Sequence, residues 1–429
     1  MRWVYVQMTS RVPHSPLGRI ITRRAAQAIE EALSDTRVVL VIGARQSGKS
    51  TLVADIGRSV SARWLSLDDS QTRKAAEFDL SGFVRQARPL IIDEVQRVPD
   101  LMLSIKAAVD EDGRPGHFLL TGSARVMGLR SVPDALPGRM ETIELWPLSQ
   151  GEIDGGTDSF VDLAFAEEGL LGVYHQSAEP RAGYMERLSR GGFPEAVART
   201  GKRRARFFSS YIADLINRDV MQLAEIQRAP EMRALVKLLA ARSGQLLQLR
   251  TIGTELGLSH QTVQRYVGLL EEVFVVKRIP PWSRNLTTRA VATPKVMMVD
   301  SGIAAHQCGM STQTLSKPGP HAGGLLENFV VSEIARQLSW SEEDVEMFHL
   351  RTRDQVEVDI VLENRRGQVV AIEVKAADTV SGDDFRGLRY LHDRLGDDLL
   401  AGVVLYTGTQ TLPFGPKFRA MPIAALWEL

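Results

Sequence analysis

Val38-Val39-Leu40-Val41-Ile42 runs directly into Gly43-Ala44-Arg45-Gln46-Ser47-Gly48-Lys49-Ser50, and a helix-compatible stretch opens at Thr51. The octet spells G-x-x-x-x-G-K-[ST]. The apolar run before it and the helix after it supply the strand–loop–helix setting that this spelling requires. Each position has a physical reason. Gly43 and Gly48 permit tight loop geometry, so that successive backbone N–H groups can point at phosphate oxygens. The following helix adds the positive end of its dipole. Lys49 reaches the β and γ phosphates, and Ser50, with Thr51 as the alternative, offers a hydroxyl to a magnesium ion. Arg45, inside the loop, faces solvent or another domain. The stretch predicts an α/β domain with a nucleotide site.

A second run, Pro89-Leu90-Ile91-Ile92-Asp93-Glu94, reads as a short buried strand ending in two carboxylates. Asp93 there can hold magnesium through water, while Glu94 can orient the attacking water. The bland alternative is a strand that ends in a polar turn. A third apolar run, His117-Phe118-Leu119-Leu120-Thr121, ends at Gly122-Ser123. A polar side chain at that strand end would sit between the other two motifs and sense the γ-phosphate, with Ser123 the first candidate and Thr121 the reserve. The three runs together predict binding of ATP with Mg2+ and its hydrolysis.

Composition fits a modular protein without a membrane span. At 429 residues, 44% of them apolar, the chain can hold two to four cores. Its 52 basic and 52 acidic residues cancel, so any basic face for nucleic acid must be local. Cys308 is the only cysteine, which excludes an internal disulfide and a cysteine zinc site and fits a reducing cytoplasm. No apolar stretch approaches the ~20 residues that cross a bilayer. Arg2, Arg11 and Pro13 surround no apolar signal-peptide centre, so a cytoplasmic location is expected.

Four segments follow from the patterning. Residues 1–150 alternate apolar runs with amphipathic stretches, as in a parallel α/β sheet. Residues 151–225 turn helical after the Gly-rich break at 151–157, forming a lid or linker. Residues 226–290 contain a short helix over Thr251–Gly257, a turn at Gly257-Leu258-Ser259 and a second helix from His260 that Ser259 can cap. Val263, Tyr266, Val267, Leu269 and Leu270 would face inward, and Gln261, Gln264 and Arg265 outward. With Phe274–Ile279 as a wing strand, this is the grammar of a winged helix-turn-helix. Such a module contacts DNA or a protein, and Gln and Arg serve either as base readers or as ordinary solvent-facing residues. The basic cluster Lys202-Arg203-Arg204-Arg206 is equally a solvated helix face.

Residues 291–429 are mixed α/β, with strands expected near 345–350, 356–363, 368–375 and 401–406. Glu357-Val358-Asp359-Ile360-Val361-Leu362 and Ala371-Ile372-Glu373-Val374-Lys375 flank a turn at Asn364–Gly367. Pairing these strands puts Asp359, Glu373 and Lys375 on one face. Two carboxylates there can bind magnesium, and a nearby lysine can position water. Glu327, on a candidate helix Leu325–Gln337, could add a third carboxylate, with Glu333 as its competitor. A salt bridge between Lys375 and its acidic neighbours explains the same residues without chemistry.

The D-x(n)-E-x-K spacing resembles that of the PD-(D/E)xK, or restriction-endonuclease-like, nucleases. Val358 stands where that pattern has proline. The chain as a whole resembles bacterial and archaeal AAA-type ATPases that carry a C-terminal domain of unknown function with an endonuclease-like fold. Gly43–Thr51, Leu90–Gln96 and Leu120–Ser123 carry this likeness, with Leu136-Pro137-Gly138-Arg139, Gly191-Gly192-Phe193-Pro194-Glu195-Ala196, Arg218-Asp219-Val220 and the Glu357–Lys375 set. Pro137 replaces the family's usual alanine and stiffens the loop before Arg139. The resemblance implies that Arg139, or else Arg218, is donated to a neighbouring subunit's γ-phosphate in a homo-oligomer; the alternative is that Arg139 anchors a structural carboxylate. It implies a P-loop ATPase domain, helical lid, winged helix and nuclease-like domain. The expected function is Mg2+-dependent ATP hydrolysis coupled to DNA binding or processing. Its rival is an ATP-gated binding or regulatory protein whose nuclease-like domain is inactive.

Overall fold

A computed structural model describes residues 15–123, 136–220, 229–285, 287, 289, 292–317 and 320–429. The chain divides into two units, Met1–Leu145 and Trp146–Leu429. The second holds the expected segments 151–225, 226–290 and 291–429 together.

The first unit is a five-stranded parallel sheet in the order β2-β3-β4-β1-β5. Its strands are β1 (Val38–Ile42), β2 (Arg63–Ser66), β3 (Leu90–Asp93), β4 (Phe118–Gly122) and β5 (Met140–Glu144). The three inner strands are buried at every position, which explains their unbroken apolar spelling. Helices α1 (Ala25–Asp35) and α2 (Lys49–Ser59) cover one face. Ile29, Ala32, Leu52, Val53 and Ile56 pack there against Val39, Val41, Ile91 and Leu119. Each fully buried aliphatic side chain of this kind contributes about 1.5–3 kcal/mol. Helix α3 (Leu101–Glu111) runs between β3 and β4. In a parallel sheet all strands end at the same edge, so the ends of β1, β3 and β4 lie side by side there.

The second unit begins with helices and reaches α4 (Ala229–Ala241), α5 (Leu249–Leu256) and α6 (His260–Glu272). Gly257 closes α5 with φ +65°, a left-handed conformation suited to glycine. Ser259 Oγ then accepts the Thr262 N–H at 3.1 Å and caps α6, as its position in the sequence predicts. Along α6, Val263, Tyr266, Val267 and Leu270 are buried, while His260, Gln261, Gln264 and Arg265 are exposed. Strand β6 (Val276–Ile279) pairs antiparallel with β7 (Lys295–Met298). The boundary expected at 290/291 therefore falls between two paired strands.

After α7 (Ser301–Gln307) and α8 (Pro320–Gln337) comes a six-stranded mixed sheet in the order β12-β13-β11-β10-β9-β8. Its strands are β8 (Val345–Arg351), β9 (Glu357–Asn364), β10 (Val369–Lys375), β11 (Leu399–Tyr406), β12 (Leu412–Pro413) and β13 (Phe418–Pro422). β8, β9 and β10 form an antiparallel meander; helix α9 (Arg386–Leu395) then crosses over to β11, parallel to β10. Leu388, Leu391 and Leu395 of α9 pack on Val358, Val361, Ala371 and Val404. Among the described residues no helix is long and apolar enough to cross a membrane.

Buried ionic groups tie this second unit together. Arg336 of α8 donates through Nε to the Pro147 carbonyl at 3.0 Å and pairs with Glu333. Glu333 accepts the Gln150 N–H at 2.9 Å, and Asp300 accepts the Gly192 N–H at 2.7 Å. Glu333 thus binds the start of the unit rather than the carboxylate face of the sheet.

Candidate functional site

The end of β1 turns sharply at Gly43, where an added Cβ would lie 2.2 Å from the Leu145 carbonyl oxygen. Only glycine allows that approach. Gly48, at φ +101°, precedes the first turn of α2. Lys49 is 3% exposed and its Nζ donates to the Gly43 and Ala44 carbonyls, each at 2.9 Å. The ammonium is folded over the loop it belongs to, where phosphate oxygens could take over from the carbonyls. Ser47 Oγ, in the same loop, is buried without a hydrogen-bond partner among the described residues. An orphaned buried hydroxyl is costly unless a ligand completes it. Arg23, just before α1, is also buried and donates through Nη1 to the Ser47 carbonyl at 2.9 Å. Nothing in spacing or composition marks Arg23 in advance.

Beside the loop, Ser50 Oγ donates to Asp93 Oδ1 at 2.9 Å, Thr121 Oγ1 to the same oxygen at 2.6 Å, and Ser66 Oγ to Oδ2 at 3.2 Å. Burial pushes the Asp93 carboxyl above the usual carboxylate range, while these hydroxyls pull the other way. The all-oxygen surroundings of Ser50 and Asp93 suit magnesium. Glu94 follows at φ +60°, an uncommon conformation for a side chain of its size. It is held there because its N–H donates to Thr121 Oγ1 at 3.0 Å. Its carboxylate accepts Ser123 Oγ at 2.9 Å and the Gln96 amide. Gln96 Nε2 also donates to Ser123 Oγ at 2.8 Å. Thr121 and Ser123 therefore divide the work, the first at Asp93 and the second at Glu94. Gln96, which enters the sequence argument only as the end of the Leu90–Gln96 likeness and without a role, is a further participant three residues after Asp93.

Arg139 lies elsewhere. It precedes β5 at the start of the strands, roughly five residues or ~16 Å of strand from the loop edge. Its Nε pairs with Asp110 Oδ1 of α3 at 2.5 Å. Within its own subunit it does not join the phosphate loop. Arg218 is exposed on the irregular helical stretch Leu215–Val220 of the second unit, and the side chain of Asp219 lies outside the described residues.

The second unit brings a different set together. Ile372 pairs with Ile360, and Asp359 Oδ2 accepts the Val374 N–H at 2.9 Å, so Asp359 sits beside Glu373. Lys375 Nζ is 3.0 Å from Glu373 Oε1. Glu327 of α8 joins the cluster as expected, but through Lys295, a residue that sequence reasoning did not single out. Lys295 Nζ lies 2.8 Å from Glu327 Oε1, 2.9 Å from Glu357 Oε1 and 3.4 Å from Asp359 Oδ1. Burial and the charge of Asp359 push Glu327 up to about 8, and the same two causes push Glu373 up to about 7. Burial opposes the charge on Lys295, yet Glu327, Asp359 and Glu357 together raise it above the ordinary lysine value. One ammonium thus serves a crowd of carboxylates.

Residues 35–154 match the AAA domain family. That match spans the phosphate loop and all five strands of the first unit. Residues 181–314 match a domain of unknown function (DUF8612), and residues 322–426 match another (DUF4143). An uncharacterized protein of Mycobacterium tuberculosis is 29% identical, across 95% of this chain and 86% of its own length. One of Haemophilus influenzae is 23% identical, across 71% of this chain and 76% of its own. Among solved structures, the Walker-type ATPase PABY2304 of Pyrococcus abyssi is 13% identical, covering 67% of this chain and 96% of its own at a TM-score of 0.41. AMPPCP-bound DnaA from Aquifex aeolicus is 14% identical, covering 60% and 91% at 0.31.

Proposed function

We propose that the protein hydrolyses ATP at the loop edge of the first unit and uses the nucleotide state to gate a binding activity of the second. The observation that carries this reading is the convergence of Lys49, Ser50, Asp93 and Glu94 at one edge, with Thr121 and Ser123 bonded to the two carboxylates. The loop N–H groups, Ser47 Oγ and Lys49 bind the phosphates. Ser50 and Asp93 hold Mg2+, which when bound neutralises phosphate charge. Glu94, aimed by Ser123 and Gln96, orients the attacking water and accepts its proton. Lys49→Ala is expected to abolish nucleotide binding or turnover, and Glu94→Gln to retain ATP without hydrolysing it. Undiminished hydrolysis in both variants removes the assignment.

For the partner, DNA is the favoured class. Helices α4 to α6 followed by the β6–β7 hairpin support a winged helix-turn-helix, and His260, Gln261, Gln264 and Arg265 form its exposed face. A second reading, DNA cleavage, draws support from the order α8–β8–β9–β10–α9–β11 and from Asp359, Glu373 and Lys375 on one face of the sheet. Cleavage lost in Asp359→Ala and Lys375→Ala would favour it; nucleotide-dependent binding without cleavage favours the first. An arginine supplied in trans by Arg139 belongs to the same proposal and requires a homo-oligomer.

A further inference from the structure

The nuclease-like pattern of Asp359, Glu373 and Lys375 implies a divalent ion among these carboxylates, with Glu327 as a further ligand. The residues present do not fit one. The position between Glu327, Glu357 and Asp359 is taken by the ammonium of Lys295, at 2.8, 2.9 and 3.4 Å from their oxygens. The three N–H donors of an ammonium meet three carboxyl oxygens, so the group is satisfied as it stands. Lys295 is fully buried.

The lysine has little freedom to withdraw. Its backbone pairs with Ile279 of β6 on one side and bridges to Leu246 on the other. On either side of it, Leu247 N–H donates to the Pro294 carbonyl at 2.9 Å and Val296 N–H to the Gln245 carbonyl at 3.0 Å. One of the carboxylates is also held by the backbone, and a second lies close against a glycine. Asp359 Oδ2 accepts the Val374 N–H, and Glu327 packs against Gly244, where an added Cβ would lie 2.8 Å from Glu327 Oε2. A magnesium ion needs oxygen ligands at about 2.0–2.1 Å and would compete for the volume that Nζ fills. Two cations in contact, shielded from water, repel strongly. A cavity of about 130 Å³ does reach Glu327, past Ser243, Gly244, Cys308 and Gly324, but neither Lys295 nor Asp359 is in its wall.

We propose that Lys295 is the resident cation of this cluster, a tethered stand-in for a divalent ion, and that the native chain takes up no divalent metal at Asp359. The same ammonium latches the β6–β7 hairpin onto α8 and β9. The inference is independent of ATP hydrolysis and bears against the cleaving reading of the second unit.

The test is Mn2+ binding to the nucleotide-free, full-length protein, read from the electron paramagnetic resonance signal of free Mn2+. Wild type and Asp359→Asn are expected to bind the same amount. Lys295→Met is expected to gain one Mn2+ per chain, and Lys295→Met/Asp359→Asn to lose it again. A Mn2+ site in the wild type that disappears in Asp359→Asn overturns the proposal. So does a folded Lys295→Met protein that gains no site. Should Lys295→Met fail to fold, the wild-type and Asp359→Asn pair decides alone. Because no nucleotide is present, failure here leaves the ATPase assignment standing, and loss of ATPase activity in Lys49→Ala leaves this inference standing.

Discussion

The Ser50 hydroxyl donates to Asp93 Oδ1 across 2.9 Å although the two residues are 43 positions apart. This one bond joins the first turn of α2 to the end of β3, and it places the two magnesium-binding groups of the proposal in contact. Ser50→Ala should raise the magnesium concentration needed for half-maximal ATP hydrolysis by about 10-fold or more, the usual cost of removing a group that supports a metal site. A magnesium titration of ATPase activity checks this. An unchanged requirement would separate Ser50 from the metal.

Ser123 and Gln96 both donate to the Glu94 carboxylate. Ser123→Ala and Gln96→Leu should therefore lower kcat, each by roughly 10-fold or more, with KM for ATP little changed, because they aim the group that activates water rather than the groups that bind phosphate. Steady-state kinetics with a kcat and KM split makes the distinction. A rise in KM alone would assign the pair to binding.

Gly43→Ala should disable the loop outright. Its Cβ would lie 2.2 Å from the Leu145 carbonyl oxygen, a backbone atom that cannot rotate aside. We expect about 3 kcal/mol of destabilisation, at the upper end for overpacking, together with loss of nucleotide binding. Denaturant unfolding and a fluorescent-nucleotide titration measure the two effects separately.

Arg139→Ala removes a partly exposed ion pair with Asp110. That pair contributes under about 1 kcal/mol, so the variant should fold and bind ATP normally. If the proposed donation in trans operates, turnover falls by about 10³-fold or more while binding persists. Equal turnover in wild type and variant ends Arg139's candidacy.

The buried carboxyls of the second unit give stability a pH signature. Glu327 is pushed up to about 8 and Glu373 up to about 7 from an ordinary value near 4.5, chiefly by burial. The folded chain therefore holds protons that the unfolded chain has released, and stability from these groups falls as pH rises from about 4.5 through 8. Thermal unfolding between pH 5.5 and 8.5 should show this decline. Glu327→Gln, which cannot ionise, should flatten it; an equal slope would mean that Glu327 stays ionised throughout.

The first unit was legible because its signals are local. Val38–Ser50 and Pro89–Glu94 each carry their own strand and their own chemistry, and β1 and β3 lie where those residues predict. The second unit was legible by element: β8, β9 and β10 lie within about one residue of expectation, and Ser259 caps α6. What escaped was long-range. Arg23 meets the phosphate loop 24 positions away, through a backbone carbonyl that has no sequence signature. Lys295 meets Asp359 64 positions away, on a four-residue strand in a stretch read as the start of another domain. A lone lysine beside Val296-Met297-Met298 looks like a strand-end charge. Only the pairing of β7 with β6 turns it inward. Arg139 shows the converse, a residue conspicuous by motif whose visible partner is an ordinary aspartate.

The clamp on Lys295 has an evolutionary corollary. A lineage cannot freely lose this lysine while keeping all three acids, because Glu327 and Asp359, the two largely buried ones, would lose the cation they share, nor can it freely lose the acids while keeping the lysine. Positions 295, 327, 357 and 359 should therefore drift as a set. In related chains where position 295 is neutral, at least one of the three acids should be gone as well, or the chain should have become one that carries a metal.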